Sequence, residues 1–501
     1  MKTQNHLPLL AVALAASLAG CSLIPAYERP AAPVSQQWPQ ESLPPAAQAK
    51  DGAAAAELSW RQFFTEPATP ENAGLRQIIE LALAGNRDLR AAIAGIEQTR
   101  AQYQIQRADL FPTIGLNVSQ SRGVPNPYQA LGGGSVSSNA MWTVGASSWE
   151  LDLFGRVRAL ESAALARFLA TEEVRKSVQM SLIAGIASTW LQLKTDTELL
   201  ALARRTLATR EQSLQLTQLR FDSGAASALA LHEAQSLAAT ARAIQAQQQR
   251  LRAQDINALA LLAGVPAEQL PIPPVPTVAP PQAPAGNTQM ADAPAPTAPL
   301  PAFADVPAGL PSDLLLRRPD IRAAEQQLIA ANANIGAARA AFFPRISLTA
   351  GLGRVSGMLD DLLVNSPTSR AWNFAPNLSL PIFDFGRTRG NLEAAEAARD
   401  AAVAQYEKTI QTAFREVADA LAGRATYADQ LAALQEQAQA ERERYRLSDL
   451  SYRNGAASYL NLLDAQRSLF AVEQSVAQVR LAQRVNEVAL YKALGGGWSP
   501  E

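Results

Sequence analysis

The stretch NRDLRAA at residues 86–92 decides the fold, because it returns as RPDIRAA at residues 318–324, 232 positions later (318 − 86). The stretch FGR at residues 154–156 returns at 385–387, and GAAS at 224–227 returns at 455–458, both 231 positions later (385 − 154). Similarity at a nearly constant separation is the mark of an internal duplication. The sequence therefore predicts two copies of one unit, at residues 75–265 and 312–495.

The residue pattern of each copy predicts the same order of elements: a helix, two strands, a long helix and a shorter helix. The first helix covers Leu75–Leu110 in one copy and Ile321–Phe342 in the other, and a proline soon after each stretch ends it. Apolar residues then alternate with small or polar ones, as in Ile114 to Ser119, which is the period of a strand. This period predicts strands at about residues 113–120, 142–153, 345–353 and 372–383.

The long helices follow Gly155 and Gly386 and run to Gly224 and Gly455, 69 residues in each copy (224 − 155). At ~1.5 Å per residue each helix is about 100 Å long. Beyond the glycine, we expect a returning helix of under about 40 residues. In the first copy, apolar residues at seven-residue spacing indicate a coiled-coil seam: Ile186, Leu193, Leu200, Leu207, Leu214 and Phe221.

Charge and ligand chemistry exclude several classes of protein. The chain has 44 Lys and Arg residues against 45 Asp and Glu, a formal net charge of −1, so it lacks the positive field that gathers nucleic acid. One cysteine and two histidines provide almost no ligands for zinc or copper. We expect no nucleic-acid partner, no metal site and no cofactor apart from a covalent lipid.

The first residues predict export and lipidation. Lys2 and the apolar run Leu7–Leu18 have the composition of a signal peptide at residues 1–20. The run ends in Leu-Ala-Gly-Cys, which resembles a bacterial lipobox, so the single cysteine, Cys21, is the predicted lipid-bearing first residue of the mature chain. The alternative is an ordinary cleavage site with an incidental cysteine.

Three further segments lie outside the two copies. Residues 21–74 form the predicted lipidated, extended N-terminal segment, and residues 496–501 form a tail. Residues 266–311 contain 14 prolines and predict an extended connector that cannot join a helix or a sheet interior.

The predicted strands have the length of membrane-spanning strands. Each is about ten residues long, which spans a bilayer when the strand is tilted, and tryptophans lie near the ends of two of them. Half-buried hairpins of a soluble protein are the alternative. In lipid a sheet must close, because each open edge leaves unsatisfied backbone groups. Since bacterial barrels have at least about eight strands, four strands per chain require several copies.

Longer motifs resemble one family. GLPSDLL at residues 309–315, RRPD at 317–320, FDFGR at 383–387 and YKALGGGW at 491–498 are similar to motifs of TolC/OprM-type outer-membrane efflux ducts, in particular the OprM-like lipoproteins. The resemblance implies an α+β membrane protein: a homotrimer with a 12-stranded β-barrel in the outer membrane that continues into a long α-helical periplasmic barrel. It also implies a periplasmic adaptor (membrane fusion) protein, an inner-membrane pump of the resistance-nodulation-division type, and passive export of drugs or other small molecules.

The resemblance also implies roles for the helix turns. The segment from Tyr452 to Arg467 resembles the periplasmic gate of the family, in which Leu460 would give an apolar constriction and Asp464 a ring of carboxylates held by Arg467 or Tyr452. Leu229 and Glu233 occupy the equivalent positions of the first copy. The alternative reading of the acidic residues is that they are solvated helix charges. For the small residues of the turns the implied role is adaptor docking, with plain interhelical turns as the alternative: Gly224, Ala225, Ser227, Gly455, Ala456 and Ser458.

Two other functions have to be weighed against an efflux duct. A non-conducting, envelope-spanning lipoprotein tether explains the helices and the lipid anchor but predicts no ion current. An enzyme is not expected, because His232 lies near a helix turn and no nucleophile, base and acid set is visible.

Overall fold

The computed structural model describes residues 22–35, 37–39, 55–65, 70–123, 137–275, 300–301, 303–307, 317–357, 370–454 and 456–498. The chain folds into two compact units. Unit one comprises Met1–Ala32, Ala94–Glu173 and Ala323–Lys408, and unit two comprises Pro33–Ile93, Val174–Arg322 and Thr409–Glu501. Both copies of the duplication therefore contribute to both units.

The elements of the two copies correspond closely. After a short helix α1 (Trp60–Thr65), the first copy contains α2 (Pro70–Gly85), α3 (Arg87–Ala108), β1 (Ile114–Gly123), β2 (Ser137–Leu151), α4 (Arg156–Asp222) and α5 (Ala228–Ala263). The second copy contains α6 (Pro319–Ala340), β3 (Arg345–Ser356), β4 (Arg370–Ser379), α7 (Arg387–Arg453) and α8 (Tyr459–Ala493). The helices α3 and α6 have 22 residues each, and α4 and α7 have 67 each, as the duplication predicts.

The predicted seam of the long helix is buried along only part of its length. Ile186, Leu193 and Leu200 are buried in unit two, whereas Phe221 at the end of α4 is 38% exposed. The seam residues in the middle of α4 therefore pack against other parts of unit two, whereas the seam residue at the end of α4 is exposed. No helix in the described ranges has an apolar stretch long enough to cross a membrane.

The single helix predicted at Leu75–Leu110 is wrong, because Asn86 divides it into α2 and α3. The Asn86 side chain accepts a hydrogen bond from the Leu89 amide at 2.8 Å and donates one to the Leu262 carbonyl at 2.9 Å. It therefore caps α3 and ties it to the end of α5. A Cβ on Gly85 would lie 2.7 Å from the carbonyl oxygen of Ala263, so the break requires this small residue.

Arg318 makes the equivalent corner in the second copy. Its Nη1 donates to the Ala493 carbonyl at 2.9 Å. Ala493 corresponds to Leu262 of the first copy (493 − 231), whose carbonyl accepts from Asn86. The guanidinium also pairs with Asp320 at 2.6 Å and Glu416 at 2.8 Å, and its side chain is 5% exposed. In each copy a polar side chain thus joins the end of the returning helix to the start of the helix before the strands.

The strands of unit one form one antiparallel sheet in the order β1-β2-β3-β4. The register brings apolar residues of all four strands to the same side, which we call the apolar face; eight of its large side chains are between 43% and 76% exposed. They are Ile114, Leu116, Val118, Val144, Leu352, Trp372, Phe374 and Leu378. The opposite face has small and polar residues, among them Gly115, Asn117, Thr143, Gly145, Gly351, Gly353 and Asn373.

A β-bulge in β2 changes which residues face each side. Between Ala146 and Trp149 the pairing with β3 shifts, and Ser148 takes a positive φ of 53°. Two residues of β2 therefore lie opposite Thr349, whose hydroxyl accepts a hydrogen bond from the Ser148 amide at 3.1 Å. The even-numbered residues lie on the apolar face before the bulge, and Trp149 and Leu151 lie there after it.

The predicted strands are confirmed, but their ends differ. Strands β1 and β3 continue three residues further than predicted, to Gly123 and Ser356. Strand β2 begins at Ser137 and ends at Leu151 instead of residue 153. Strand β4 begins at Arg370, two residues before the predicted start, and ends at Ser379 instead of residue 383.

The predicted extended N-terminal segment is extended in its first part only, because α1 and the start of α2 lie within residues 21–74. In unit one, residues 22–32 run along α6. Arg29 forms two hydrogen bonds with Glu325, at 2.7 and 2.9 Å, and the Tyr27 hydroxyl donates a third at 3.1 Å. Asn332 donates to the Pro25 carbonyl at 2.8 Å. The predicted signal peptide and Cys21 lie outside the described residues.

The described ends of the proline-rich connector pack against unit two. The Ala304 amide donates to the Phe63 carbonyl at 3.2 Å, and Arg424 donates to the Val306 carbonyl at 2.6 Å. Phe63 stacks on Tyr491 with ring centroids 3.9 Å apart. Residues 300–307 therefore form part of the core of this unit where they are described, and residues 276–299 and 308–311 lie outside the described residues.

Candidate functional site: the helix turns and the acidic residue beyond them

The turn between α4 and α5 is fixed by its backbone. Gly224 has a φ of 75°, a left-handed conformation that favours glycine, and its amide donates to the Phe221 carbonyl at 2.9 Å. A Cβ on Gly224 would meet nothing within 4 Å, so the requirement is conformational and the space around the turn is open. The Ser227 hydroxyl caps α5 by accepting from the Ala230 amide at 3.2 Å. Ala225, beside them, donates its amide to the Arg220 carbonyl at 2.7 Å.

The turn between α7 and α8 has a related backbone. The Ala456 amide donates to the Ser451 carbonyl at 2.8 Å, as the Ala225 amide does to Arg220 in the first copy. Ser458 precedes α8, but its side chain makes no capping hydrogen bond in the described structure. Gly455 lies outside the described residues, so its predicted part in the turn stays a prediction.

Asp464 is held by two arginines. Arg467, three residues later on α8, lies 3.2 Å from Asp464 Oδ1, and Arg444 of α7 contacts Oδ2. Hydrogen bonds from Arg444 and then Arg467 hold the pKa of the Asp464 carboxyl below its usual range. Arg444 also pairs with Glu441 at 3.1 Å. The carboxylate is therefore ionised at neutral pH and shared between two neighbouring helices.

The pairing with Arg467 agrees with the sequence-based expectation, whereas Tyr452 has a different partner. The Tyr452 hydroxyl accepts a hydrogen bond from Arg220 of α4 at 2.5 Å, and the Arg220 guanidinium lies over the Tyr452 ring at 5.4 Å. The ring also lies 5.3 Å from Tyr459, whose hydroxyl is 2.6 Å from Ser213. Tyr452 thus connects the turn of the second copy to the long helix of the first.

The apolar residues predicted for the constriction are exposed. Leu460 is 60% exposed and Leu229 is 70% exposed. Leu460, Asp464 and Arg467 all lie within α8 at spacings that place them on one face. Exposed leucines beside a charged cluster leave an apolar surface that another chain or a passing molecule can contact.

The two copies differ at this site. At a separation of 231, Arg444 corresponds to Ser213 and Arg467 to Ser236, so neither position beside Glu233 carries an arginine. Glu233 itself is partly exposed on α5. The arginines that hold Asp464 therefore belong to the second copy alone. Arg444 and Arg220 were not predicted, because they come from helices that sequence spacing does not bring together. For Arg444 the sequence does contain one signal: the equivalent position of the first copy is Ser213.

A second group of ionisable residues lies deeper in unit two. Asp196 of α4 is 3% exposed and shares a hydrogen bond with Asp255 of α5, while Gln192 donates to it at 3.2 Å. Burial, and then the neighbouring Asp196, raise the pKa of Asp255 to about 7. The two carboxyls therefore hold a proton between two helices near neutral pH.

Among the described residues, no group of three or more histidine, cysteine, aspartate or glutamate side chains is arranged to hold a metal ion. Three features of the described residues are exposed: the apolar sheet face, the turn between α4 and α5, and Asp464 with its two arginines.

Comparison with known proteins gives a consistent result. A family profile described as outer membrane efflux protein matches residues 78–265 and 310–496, the two copies of the duplication. The chain is 45% identical, over 98% of its length and 96% of theirs, to a toluene efflux pump outer membrane protein, TtgC, and to an antibiotic efflux pump outer membrane protein, ArpC, both of Pseudomonas putida. It is also similar to the open state of the Neisseria gonorrhoeae MtrE outer membrane channel, with 37% identity, a TM-score of 0.78 and coverage of 95% of this chain and 99% of that one.

Proposed function

The chain belongs to the outer membrane efflux protein family, and from this membership we propose that it assembles as a homotrimer whose pooled strands form a channel through the outer membrane. It is the outer-membrane component of an efflux system, a transport protein. The proposal concerns how this chain forms the passage, what opens it and which molecules it works with.

The observation that carries the proposal is the open sheet with its exposed apolar face. Large apolar side chains cover one face of β1 to β4, and β1 and β4 are the two outer strands of the sheet. In lipid an apolar face is favoured, but outer strands with unsatisfied backbone groups are not. Pairing β1 of one chain with β4 of the next satisfies both requirements, and three chains then give 12 strands.

The opposite face of the sheet suits a water-filled interior. Asn117, Thr143 and Asn373 provide polar groups, and Gly145 and Gly353 have no room for a side chain, because a Cβ would collide with a carbonyl oxygen of the neighbouring strand. Alternation of apolar residues towards lipid and polar residues towards the interior is typical of outer-membrane barrels. The route through the barrel is therefore polar and passive.

We assign the gate to Asp464 and Leu460, near the turns of the long helices. In a trimer, three Asp464 carboxylates would repel one another if they came close, and Arg444 and Arg467 neutralise them. The exposed Leu460 side chains would meet near the axis as an apolar constriction. Loss of the arginine contacts would then let the helix turns separate and open the passage.

The turns themselves are the proposed docking points for a periplasmic adaptor. The open space around Gly224 leaves room for the tip of another helix, and Ala225 and Ala456 add no bulk. The adaptor would connect the channel to an inner-membrane pump of the resistance-nodulation-division type. The relatives are named for toluene and antibiotic efflux, which supports small apolar compounds and drugs as the exported molecules.

Cys21 is the proposed lipid attachment site, so the mature chain would be anchored in the outer membrane with its long helices in the periplasm. The segment that follows is suited to carry this anchor, because Arg29 and Tyr27 fix it to Glu325 of α6. Intact-mass analysis of the purified protein tests the anchor, since an unmodified Cys21 thiol would contradict it.

Planar-bilayer recording tests the proposal as a whole. The purified mature protein should have the mass of three chains in detergent and should give single-channel currents after insertion. A protein that remains a water-soluble monomer without detergent, or a trimer that conducts no ions, would refute the channel and would favour the non-conducting tether.

A further inference from the structure

A cavity lies inside unit two where α4, α7 and α8 meet. Its volume is about 40 Å³, and it is partly open to solvent. Leu199 and Leu202 of α4 and Ala477 of α8 form its apolar part, and all three side chains are buried. Because a buried water needs about 10–15 Å³, the cavity has room for about three water-sized groups.

Each of the three helices places one arginine on the cavity wall. Arg205 comes from α4, Arg442 from α7 and Arg480 from α8. The same wall has two carboxylates, those of Glu198 and Glu473. Among the described residues that line the cavity, arginine therefore exceeds glutamate by one (3 − 2), which gives the lining a net charge of at least +1.

Two of the arginines already hold the two glutamates. Arg480 lies 3.4 Å from Glu198, and Arg442 lies 3.0 Å from Glu473. Arg205 is the third cation, and its buried Nε makes no hydrogen bond within the described part of the chain. Burial lowers the pKa of the Arg205 guanidinium, and Glu473 and Glu198 oppose this through their charge alone. A buried donor without an acceptor is destabilising, so Arg205 is the group that an added acceptor would satisfy.

The chemistry of the cavity fits a short monocarboxylate. A guanidinium group and a carboxylate match in geometry, because the two oxygens can accept two parallel hydrogen bonds. Three water-sized groups correspond to the two oxygens and one methyl group, which the buried leucines and Ala477 can contact. Acetate therefore has the size, the apolar part and the single negative charge that balances the lining.

We propose that Arg205 binds the carboxylate of a short monocarboxylate in this cavity, while Arg442 and Arg480 neutralise the glutamates that would otherwise repel it. The bound ligand joins α4 of the first copy to α7 and α8 of the second copy, and it therefore stabilises their packing. All residues of the site belong to unit two, so the site does not depend on the proposed channel.

The test uses the full-length protein in detergent with three small molecules. Acetate is the probe, acetamide is its uncharged counterpart of the same shape, and chloride is a small anion without an apolar part. Nuclear magnetic resonance of ¹³C-labelled acetate measures the Kd. Hydrogen exchange of the amides of α4, α7 and α8 around the cavity measures the effect on packing, with each compound at the same concentration.

Three variants separate the charge of Arg205 from its place on the helix. Arg205→Gln removes the guanidinium without removing either ion pair of the cavity, and Arg205→Lys keeps the charge but loses the flat, forked donor. Arg204→Gln is the matched control, because Arg204 precedes Arg205 on α4, does not line the cavity, and acts instead on Arg252 of α5.

Acetate should bind the parent with a Kd of about 1 mM, which is within the limit for a ligand of about four non-hydrogen atoms. At about 100 times this concentration it should raise amide protection about 100-fold over chloride. Arg205→Gln should bind acetate at least about tenfold more weakly, since a hydrogen bond to a charged group is lost. Arg205→Lys should lose less, Arg204→Gln should behave as the parent, and acetamide should give no protection.

The proposal is overturned if Arg205→Gln binds acetate within about twofold of the parent. It is also overturned if acetamide or chloride protects the amides as well as acetate does, because the cavity would then not recognise a carboxylate. Planar-bilayer recordings of the same preparations separate the two proposals. Normal currents without acetate binding refute this site alone, whereas acetate binding by a protein that gives no current supports the site and refutes the channel.

Discussion

Replacing Asp255 with asparagine should remove a pH dependence of stability in unit two. Burial beside Asp196 raises the pKa of Asp255 to about 7, against an ordinary value of about 3.9 in an unfolded chain. Between these values the unfolded chain is ionised at Asp255, while the folded chain keeps the proton. The stability that the protonated pair contributes is therefore complete below about pH 4 and is lost as pH rises through about 7.

The magnitude follows from the size of the shift. A shift of about three units corresponds to about 4 kcal/mol at 1.36 kcal/mol per unit, and the partial solvent access of Asp255 reduces this to about 2 kcal/mol. Asparagine can donate a hydrogen bond to Asp196, as the protonated acid does, and it carries no charge at any pH. We therefore expect Asp255→Asn to match the parent near pH 4 and to exceed it by about 2 kcal/mol at pH 8.

Hydrogen exchange of the α4 and α5 amides around Asp196 and Asp255 measures the effect, after correction for the intrinsic pH dependence of exchange. Protection in the parent should fall about 30-fold more than in Asp255→Asn between pH 4 and pH 8. Infrared spectra near pH 5.5 should show a protonated carboxyl band that the variant lacks. Asp419→Asn, which changes an exposed aspartate of α7, is the control. Equal loss of protection in parent and variant would refute the shared proton.

Three further predictions follow from other features. Asp464→Ala should raise single-channel conductance and weaken block by multivalent cations, because it removes the proposed carboxylate ring; unchanged conductance would count against that assignment. Gly353→Ala should reduce the yield of assembled protein, since its Cβ collides with the Trp142 carbonyl oxygen, whereas Gly115→Ala, with nothing within 4 Å, should not; equal yields measured by gel filtration would contradict this. Glu325→Gln should increase proteolysis of residues 22–32 by weakening a charge-assisted clamp of about 1.5–3 kcal/mol, and an unchanged cleavage rate would show that the clamp is not needed.

The duplication made the large elements predictable. Because both copies have to accommodate the same helix lengths, the repeated FGR and GAAS motifs located the ends of α4 and α7 to within a few residues. The alternation of apolar and small residues likewise identified all four strands. Such patterns are visible because they depend on spacing along one chain segment.

The breaks within these elements depend on contacts between distant segments, so spacing did not reveal them. Asn86 ends α2 and starts α3 because its side chain reaches Leu262, 176 residues away. The bulge at Ser148 depends on how β2 meets Thr349 of β3. In both cases the residue type alone is compatible with a continuous element, and the tertiary partner decides the outcome.

The candidate site was predicted in part. Spacing on α8 placed Leu460, Asp464 and Arg467 on one face, and the structure confirms the ion pair between Asp464 and Arg467. Arg444 approaches from α7, so its position depended on the packing of two helices. Whether these residues act as a gate stays a prediction that the conductance measurement addresses.

The unequal surroundings of Asp464 and Glu233 have a consequence for inhibitors. A compound that carries a guanidinium group can compete with Arg444 and Arg467 for the Asp464 carboxylate, but at Glu233 the equivalent positions are the serines Ser213 and Ser236. Such a compound would meet two chemically different turns on every chain and would have to displace a resident cation at only one of them. For the proposed periplasmic gate, a guanidinium compound therefore has to displace the two arginines of the second copy, whereas Glu233 of the first copy offers it a carboxylate with no arginine at either equivalent position.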